Sequence, residues 1–495
     1  MKPTLHFGGN SEDADRFFER TLRTAAALRG LGIGAGDGVA TLLHNEPACI
    51  ELMLAARAVQ ARCCLIDRQL GAAEAGRVLA DSGAKLLVGH NDLLAEARAG
   101  IPTALPVFGV APQPATLRAL GLADCAGAEP RFESWQAVRD GGQHGPSGPA
   151  LAARLPELPA QTSAAYATAF GIGPGMRALI SAPLCHAAPA AYACLAALND
   201  AGLWIEPRFD AERTLRLIEA ERITHLYLVP AMFARLLRLP RSVRTQHDLR
   251  SLEFVATSGS PCTGEVKRRM IDWWGPVVHE AYVAGGLGVA THIDSGGALH
   301  KPGSCGRALS GVRLRVMDAQ GRVLPAGQAG LIYARGHDTG LDFVCAGSAA
   351  MRQAPERDGL RTFGDIGRLD DEGDLYLVER QVDVVISGGV GIDPAAIERV
   401  LADMPGIDDC AVFGIPDHEY GQTLAAAVQP TPRAGELDEA QVRSWLRERI
   451  AGYKVPSVIT FHAELPREET GKILKARLRA PYWIDARSGH TDNRS

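Results

Sequence analysis

Lys472 is the residue of this sequence best placed by its neighbours to act on an anionic substrate. It follows Thr470 and Gly471 in the segment LPREETGKILKARLR, residues 465–479, which contains further Arg and Lys side chains. A cation fixed after a Thr-Gly turn can stabilise charge that develops on a phosphate or carboxylate oxygen. A Thr-Gly-Lys triplet alone predicts little, because a lysine that binds a nucleotide also needs a loop that holds the phosphates.

Other short motifs allow chemistry, and each also has a plain structural explanation. His186, in APLCHAAPA, could line a substrate pocket or could be a hydrogen-bonded histidine at the end of a strand. Asp365, in RTFGDIGRLD, could be a turn residue, and the run ISGGVGIDP at 386–394 is typical of a turn before a helix. The glycines of AGGLGVA, at 284–290, do not have the spacing of a dinucleotide-binding loop.

Length and composition limit the class of protein. A chain of 495 residues is too long for one compact core, so two or more domains are expected. The net charge of −5 provides no basic surface for nucleic acid. The N-terminus lacks the apolar segment of a signal peptide, no apolar run is long enough for a transmembrane segment, and the ten cysteines include no CxxC pair. These features predict a cytoplasmic globular protein.

Helical and extended patterns alternate over the first part of the chain. DADRFFERTLRTAAALRGLGIGAGDGVATLLHN predicts an amphipathic helix, a glycine-rich stop and a short apolar strand, and the pattern then recurs. Such alternation predicts parallel sheets covered by helices. Residues 126–160 are rich in Gly and Pro and are predicted to form a long surface connection. From Gly303, strands of period two predict an antiparallel sheet.

The predicted fold class is therefore α/β. We expect a large N-terminal domain of stacked α/β layers with a smaller antiparallel sheet, spanning residues 1–381. A small, mobile α+β domain is predicted to begin at the hinge residue Val382 and to span 382–485, followed by a disordered tail at 486–495.

Longer motifs, in their order and spacing, resemble the adenylate-forming superfamily of acyl- and aryl-CoA synthetases, luciferases and peptide-synthetase adenylation domains. The resemblance extends from about residue 16 to residue 480 and includes APLCH, SGSPC, HEAYVAGG, AGYKVP and LPREETGKILK. Its most specific part is FGDIGRLDDEGDLYLVERQVDVVISGGVGIDPAAIE, at 363–398. The resemblance implies an AMP-forming acid–thiol ligase. In such enzymes a carboxylate attacks the α-phosphate of ATP to give acyl-AMP, and the acyl group then passes to CoA or another thiol carrier while the small domain alternates between two positions.

The resemblance also implies roles for the residues at matching positions. The implied roles are catalysis for Lys472; nucleotide binding for Gly259, Ser260, Pro261, Tyr282, Asp365 and Arg380; the acid pocket for Cys185, His186, Met232 and Phe233; CoA binding for Ser387, Gly388 and Gly389; and the hinge for Val382. No residue is assigned as a metal ligand. The implied cofactors are ATP or AMP, CoA and Mg²⁺ that is weakly bound or absent. The implied partners are a small carboxylic acid and a thiol, without nucleic acid, and a homodimer is left open.

Two positions depart from the superfamily pattern. No Thr/Ser/Gly-rich phosphate loop precedes APLCH, and Gly285 and Gly286 occupy the places of the expected Thr and metal-binding Glu. Both departures affect the handling of triphosphate and metal. They leave open an alternative: a degenerate member that has lost the use of ATP and binds or processes acyl-adenylate or acyl-CoA, or acts as a non-catalytic pathway partner.

Overall fold

The structure is a computed structural model of the chain. It describes all residues except 1–3, 69, 71, 123–131, 142–157, 260–261, 284–287, 319, 338–340, 342, 345–355, 363, 379–384, 388–389, 393, 418–420, 432–436, 451, 469–470, 472 and 489–495. The chain divides into two compact units, one of residues 1–363 with 368–377 and one of residues 364–367 with 378–495. Val382, the predicted hinge, lies outside the described residues, so the predicted domain boundary stays a prediction.

The strands of the described chain are short, with the two longest in the second unit. They are β1 Thr4–Phe7, β2 Asn10–Asp13, β3 Gly38–Leu42, β4 Arg62–Leu65, β5 Ala84–His90, β6 Val107–Val110, β7 Glu133–Ser134, β8 Arg177–Ile180, β9 Gly202–Ile205, β10 His225–Leu228, β11 Phe254–Thr257, β12 Val278–Val283, β13 Val289–Ile293, β14 Arg307–Ala308, β15 Arg313–Met317, β16 Gly330–Arg335, β17 Phe343–Val344, β18 Glu356–Arg357, β19 Leu360–Arg361, β20 Ile366–Leu369, β21 Leu375–Val378, β22 Val385–Ser387, β23 Val390–Ile392, β24 Ile407–Asp417, β25 Gly421–Pro430 and β26 Val458–Phe461.

Helices connect most of the parallel strands. They are α1 Ala14–Gly30, α2 Pro47–Ala58, α3 Ala72–Ser82, α4 Asn91–Ala97, α5 Pro114–Leu120, α6 Trp135–Gly141, α7 Ala160–Phe170, α8 Ala187–Leu198, α9 Ala211–Ala220, α10 Pro230–Arg238, α11 Arg241–Arg244, α12 Gly264–Trp274, α13 Ser295–His300, α14 Pro394–Ala402, α15 Glu439–Arg447 and α16 Lys475–Ser488. Side-chain oxygens cap several of their first turns; Asp13, Asp210 and Thr263 each accept a backbone N–H bond. No helix within the described ranges is long and apolar enough to cross a membrane.

Two sheets of the first unit are largely parallel. The first sheet has the strand order β17-β4-β3-β5-β6-β7, and the second has the order β14-β13-β12-β11-β10-β8-β9-β1-β2. In the first sheet the chain passes from β3 to β4 on one side and then to β5 on the other. In the second sheet it passes from β8 to β9 and then to β10 across β8. Each reversal of direction leaves a crevice at the carboxyl ends of the strands, where open α/β sheets bind ligands.

The third sheet has the order β18-β19-β16-β20-β21, with β15 also paired to β16. Its pairs β15–β16, β16–β19 and β18–β19 are antiparallel. The largest apolar core includes residues of the first two sheets and of their covering helices. The second unit has its own core around β24, β25 and α14, and it includes the β22–β23 hairpin and the β24-β25-β26 sheet.

One part of the predicted surface connection at 126–160 was wrong. Residues 133–141 form β7 and α6, because Trp135 is only 2% exposed and packs edge-on against Phe108, with 5.6 Å between ring centroids. A buried tryptophan anchors the segment to the first sheet. At the other end of the chain, α16 includes the first three residues of the predicted tail, and residues 489–495 lie outside the described residues.

A stack of rings crosses the second sheet at the end opposite the strand carboxyl termini. Phe254 stacks on His279 with 3.7 Å between centroids, and His279 Nδ1 lies 3.0 Å from Nε2 of His292. His225 stacks on the other side of Phe254. Burial lowers the pKa of both His225 and His279 to about 4, and it also lowers the pKa of His292. The rings of His279 and His292 cannot both be protonated, because two N–H donors would then point at each other.

We therefore expect the free energy of unfolding to fall between pH 6.5 and about 4. In that window His225 and His279 bind protons in the unfolded chain but not in the folded one. This difference lowers the free energy of unfolding by on the order of 2 kcal/mol for each ring, after allowance for partial exposure. His279→Phe keeps a ring on Phe254 and should flatten this pH dependence. Phe17→Leu is the control, because this buried phenylalanine of α1 does not stack on the histidine rings, and the change should lower the unfolding midpoint without altering the slope against pH. Denaturant midpoints at several pH values measure both, and an unchanged slope in His279→Phe would contradict the assignment.

Candidate functional site at the strand carboxyl ends

Neighbouring parallel strands of the second sheet bring most of the described candidate residues to one edge. The strands β8, β10 and β11 are paired in parallel, and β12 is parallel to β11. The residues that follow or end these strands are Cys185 and His186 after β8, Met232 and Phe233 after β10, Gly259 after β11 and Tyr282 near the end of β12. The fold therefore places the predicted acid and adenine residues on adjacent strand ends.

A single buried amide holds the segment that leads to Cys185 and His186. The Nδ2 of Asn45, which follows β3 of the first sheet, donates to the carbonyl of Ala182 at 2.9 Å. Its Oδ1 accepts the N–H of Leu184 at 2.9 Å, and Nδ2 is also 3.4 Å from the carbonyl of Glu206. Asn45 is 4% exposed. Its side chain thus joins the carboxyl ends of the two parallel sheets at the start of the candidate acid site.

Polar side chains gather beside this segment. Ligand atoms of Asp67, Cys185 and His186 lie within 4.8 Å of one another, and all three residues are half-buried. An Asp, Cys and His set would suit a borderline ion such as Zn²⁺ better than Mg²⁺. However, the guanidinium of Arg68 interacts electrostatically with Cys185, and its positive charge opposes a cation at this place. We therefore treat the three residues as polar groups of the candidate acid site and not as a metal centre.

The orientation of Arg68 is set by a buried histidine. Arg68 Nη1 lies 3.0 Å from Nδ1 of His44. A guanidinium only donates, so Nδ1 accepts and the ring proton is on Nε2, which donates to Oδ2 of Asp92 at 2.7 Å. Burial lowers the pKa of His44, which keeps the ring neutral in this arrangement. Asp92 and Arg68 together fix one tautomer of His44, and His44 in turn fixes the direction of Arg68.

Met232 and Phe233, the predicted apolar wall of the acid pocket, are fully buried. Both are 0% exposed and belong to the main core, and Phe233 packs edge-on against Trp274. In this conformation neither side chain offers surface to a ligand. Their role in the acid pocket stays a prediction, and it requires these side chains to move when an acid binds.

The candidate adenine loop begins with a constrained backbone. Gly259 has φ +90°, a conformation that residues with a side chain rarely adopt. The preceding Ser258 is fixed by a 2.7 Å hydrogen bond between its Oγ and the hydroxyl of Tyr227, a buried residue of β10. Burial raises the pKa of Tyr227 to about 12. Ser260 and Pro261 lie outside the described residues.

A buried ion pair contacts the end of that loop, where the N–H of Cys262 donates to Oε1 of Glu280 at 3.4 Å. Lys267 Nζ lies 2.5 Å from Oε2 of Glu280 and 2.6 Å from the carbonyl of Ser304. The side chains of Lys267 and Glu280 are 1% and 4% exposed. Burial raises the pKa of Glu280 despite the neighbouring ammonium. Removing one partner of such a pair leaves an uncompensated charge and typically costs about 3–5 kcal/mol of stability.

The predicted stacking residue Tyr282 is also largely enclosed. It is 7% exposed and packs with Ala290, Cys305 and Leu314 in an apolar cluster. The cluster fixes the position of the ring, but Tyr282 has little free surface in this conformation. Its contact with adenine stays a prediction.

In the second unit, Asp365 precedes β20 and is half-buried, and Ser387 ends β22. Lys475, the other lysine of the C-terminal motif, has its Nζ 2.9 Å from Oε1 of Glu398. The same oxygen accepts the N–H of Val412 at 2.6 Å, so Lys475 is engaged in the packing of this unit. The remaining candidates lie outside the described residues; they are Arg380, Val382, Gly388, Gly389 and Lys472.

Sequence reasoning missed the residues that position the site. Asn45, Tyr227, Lys267 and Glu280 were not among its candidates. The polar pair His44–Asn45, shortly after the buried strand GVATL, was a usable signal for Asn45, and a Glu inside the strand VHEAYV was one for Glu280. No local pattern indicates their partners, which are distant in sequence.

Two family models match the chain. A model described as AMP-binding enzyme matches residues 2–138 and 158–341, and one described as AMP-binding enzyme C-terminal domain matches residues 396–472. The first match omits residues 139–157. This gap lies shortly before the segment in which a phosphate loop is expected and is not found.

Curated relatives and solved structures are similar over nearly the whole chain. A feruloyl-CoA synthase of Amycolatopsis is 30% identical over 96% of this chain and 95% of its own. A long-chain-fatty-acid–CoA ligase of Mycobacterium tuberculosis is 30% identical over 93% of this chain and 91% of its own. The crystal structure of ATP-bound MatB from Rhodopseudomonas palustris has a TM-score of 0.76 at 22% identity, over 97% and 96% of the two chains. The predicted α/β fold, with a large N-terminal and a small C-terminal domain, is confirmed.

These relatives also bear on the two functions left open by the sequence. Both curated relatives are named as enzymes that join an acid to CoA. The comparisons thus favour an enzyme and do not support the doubt that the missing phosphate loop raised.

Asn45→Ala should loosen the acid segment, because it removes the amide that bonds to Ala182 and Leu184. We expect a loss of about 1–3 kcal/mol in the free energy of unfolding, the cost of unpaired buried groups, together with a raised KM for the acid. Asn199→Ala is a matched control, since its amide bonds only to Leu195 one turn earlier. Denaturant unfolding measures the change in the free energy of unfolding. The reaction rate as a function of the concentration of the acid substrate measures the change in KM. Equal behaviour of the two variants would show that Asn45 does not position the segment.

Proposed function

The chain belongs to the AMP-binding enzyme family, and we propose that it is an AMP-forming acid–CoA ligase. In the first step a carboxylate oxygen of the acid attacks the α-phosphorus of ATP, and pyrophosphate leaves. In the second step the sulfur of CoA attacks the acyl carbon, and AMP leaves with the electron pair of the broken C–O bond. The thiol proton passes to solvent or a base.

The observation that carries this proposal is the common edge of the second sheet. The acid segment after β8 and the adenine loop after β11 lie on strands separated only by β10. A carboxylate and a nucleotide bound at these strand ends would lie side by side, as the first step requires. Both segments are held by buried polar bonds, from Asn45 and Tyr227, which supports a site of fixed geometry.

Charge builds on the α-phosphate oxygens in the first step, so the site needs a fixed cation there. We assign that role to Lys472, which the C-terminal family model includes at its last matched residue. Lys475 is a weaker candidate because its ammonium is paired with Glu398. Asp365 and Arg380 are proposed to bind the ribose, and Ser387, Gly388 and Gly389 to contact CoA.

We infer that the acid is apolar, a fatty or aromatic monocarboxylic acid. Cys185 and His186 are half-buried in the candidate acid segment, and the other proposed pocket residues, Met232 and Phe233, are apolar. The acids named for the relatives, ferulate and long-chain fatty acids, have the same character. ATP and CoA are cytoplasmic metabolites, which supports a cytoplasmic location, and a homodimer stays a prediction.

Lys472→Ala should abolish acid-dependent ATP–pyrophosphate exchange, because it removes the proposed cation from the developing charge. Thioester formation from synthetic acyl-AMP and CoA should survive, since that step expels AMP and does not build charge in the same way. Lys475→Ala is the matched control from the same segment and should retain exchange. Wild-type protein that shows no exchange with any acid but still consumes acyl-AMP would refute the complete ligase and favour the member without ATP use.

Binding of ATP should be weak and should depend little on Mg²⁺. Gly286 stands where related enzymes have a metal-binding carboxylate, and no phosphate loop is recognisable, whereas the adenosine residues are retained. An acyl-AMP mimic should therefore bind more tightly than ATP. Calorimetric titration with each ligand, with and without Mg²⁺, measures this. Tight ATP binding that requires Mg²⁺ would contradict the expectation.

A further inference from the structure

Two anchored arms of the second unit flank Gly471, the residue that precedes Lys472 in the sequence. Leu465, on the first arm, is 1% exposed, and Ile473, on the second arm, packs in the same apolar cluster with Phe413 and Ile415 of β24. The backbones of Arg467 and Ile473 form an antiparallel bridge. The N–H of Leu474 donates to the carbonyl of Pro466 at 2.8 Å. The two arms are therefore fixed on either side of Gly471.

Arg467, on the first arm, bonds both to Gly471 and to a carboxylate of β24. Arg467 Nη1 donates to the carbonyl of Gly471, the residue before Lys472, at 3.0 Å. Its Nη2 lies 2.5 Å from Oδ2 of Asp409 on β24. The other oxygen of Asp409 accepts the N–H of Cys410 at 2.8 Å, so this carboxylate is itself held. A planar guanidinium that makes two bonds in fixed directions is well suited to define a geometry.

The carbonyl that Arg467 holds belongs to a residue with an unusual backbone conformation. Gly471 has φ +88°, and its N–H donates to the carbonyl of Glu468 at 2.8 Å. A peptide unit of this kind can rotate at low cost because glycine has no side chain to restrict it. A bond to Gly471 O removes that freedom, and the direction of the chain into Lys472 follows from the orientation of this peptide.

We propose that Arg467, held by Asp409, is a positioning residue that orients the backbone before Lys472 for the acid-activating step. This inference rests on the proposed function for its catalytic consequence, but its structural part does not. Arg467 does not touch substrate in this proposal; it acts through Gly471. Misplacement of a catalytic group by about 1 Å can lower a rate by about 100-fold.

Arg467→Gln should lower kcat for acyl-AMP formation by about 10- to 100-fold, with KM values for the acid and ATP changed much less. The thioester step from acyl-AMP should change by less than about twofold, since Lys472 is not required there. Asp409→Asn should give a smaller loss in the same step. Arg467→Lys should recover only part of the rate, because one ammonium cannot reproduce the two directed bonds.

Arg443 offers a matched control in the same unit. It too bonds to two backbone carbonyls, those of Pro456 and Ser457, both at 2.6 Å, and it pairs with Glu439. Arg443→Gln removes the same kinds of bond from a different segment. It should affect thermal stability as much as Arg467→Gln does, without the selective loss in acyl-AMP formation.

Hydrogen exchange of the peptide that covers residues 464–475 provides a readout that is independent of activity. We expect faster exchange there in Arg467→Gln than in wild type or in Arg443→Gln. Unchanged exchange in Arg467→Gln overturns the proposal. Faster exchange with equal losses in both half-reactions also overturns it, since Arg467 would then be merely structural. If wild-type protein forms no acyl-AMP, the proposed ligase fails, and hydrogen exchange alone decides whether Arg467 orders the backbone at Gly471.

Discussion

The two-sided hydrogen bonding of Asn45 is the contact on which the candidate acid site depends. Carboxyl ends of parallel strands leave backbone donors and acceptors without partners in the sheet, and a buried group of this kind must find another partner. A primary amide can donate and accept at once, so one side chain satisfies both Ala182 O and Leu184 N–H. Because Asn45 belongs to the first sheet and its partners to the second, it fixes the edge of one sheet relative to the other.

The same strand ends are supported by polar side chains that bond to one another. The ion pair of Lys267 and Glu280 bonds to a backbone N–H of the segment after β11. The neutral ring of His44, which bonds to Asp92 and Arg68, lies beside the segment after β8. Such groups contribute little net stability compared with an apolar core. They do prevent alternative packings, because any shift would leave a polar or charged group without its hydrogen-bond partner. The benefit we infer is geometric, since loops that bind two reactants must be held at a fixed distance.

Much of this arrangement follows from sequence pattern, and part of it cannot. Alternating helix and strand patterns predict parallel sheets, and parallel sheets place the residues after their strands at one edge. Cys185, His186 and Gly259 were assigned from the superfamily resemblance, and they follow strands of the second sheet at this edge. Apolar pattern does not distinguish a pocket wall from a core, which is why Met232 and Phe233 were expected in the pocket and are fully buried in this structure. Trp135 is a similar case, because a Gly- and Pro-rich context hid its anchoring role. Partners such as Glu280 for Lys267 depend on tertiary folding and leave no local signal.

Positioning in the second unit uses a different kind of contact. The side chains of Arg467 and Asp409 are 27% and 31% exposed, so their ion pair is screened by water and adds little to stability. Its geometry is nevertheless specific, because the second nitrogen of the same guanidinium holds Gly471. The Arg467–Asp409 pair therefore contributes direction and little stability. The buried bonds of Asn45 contribute both, because the groups that they satisfy would otherwise lie in the core without partners.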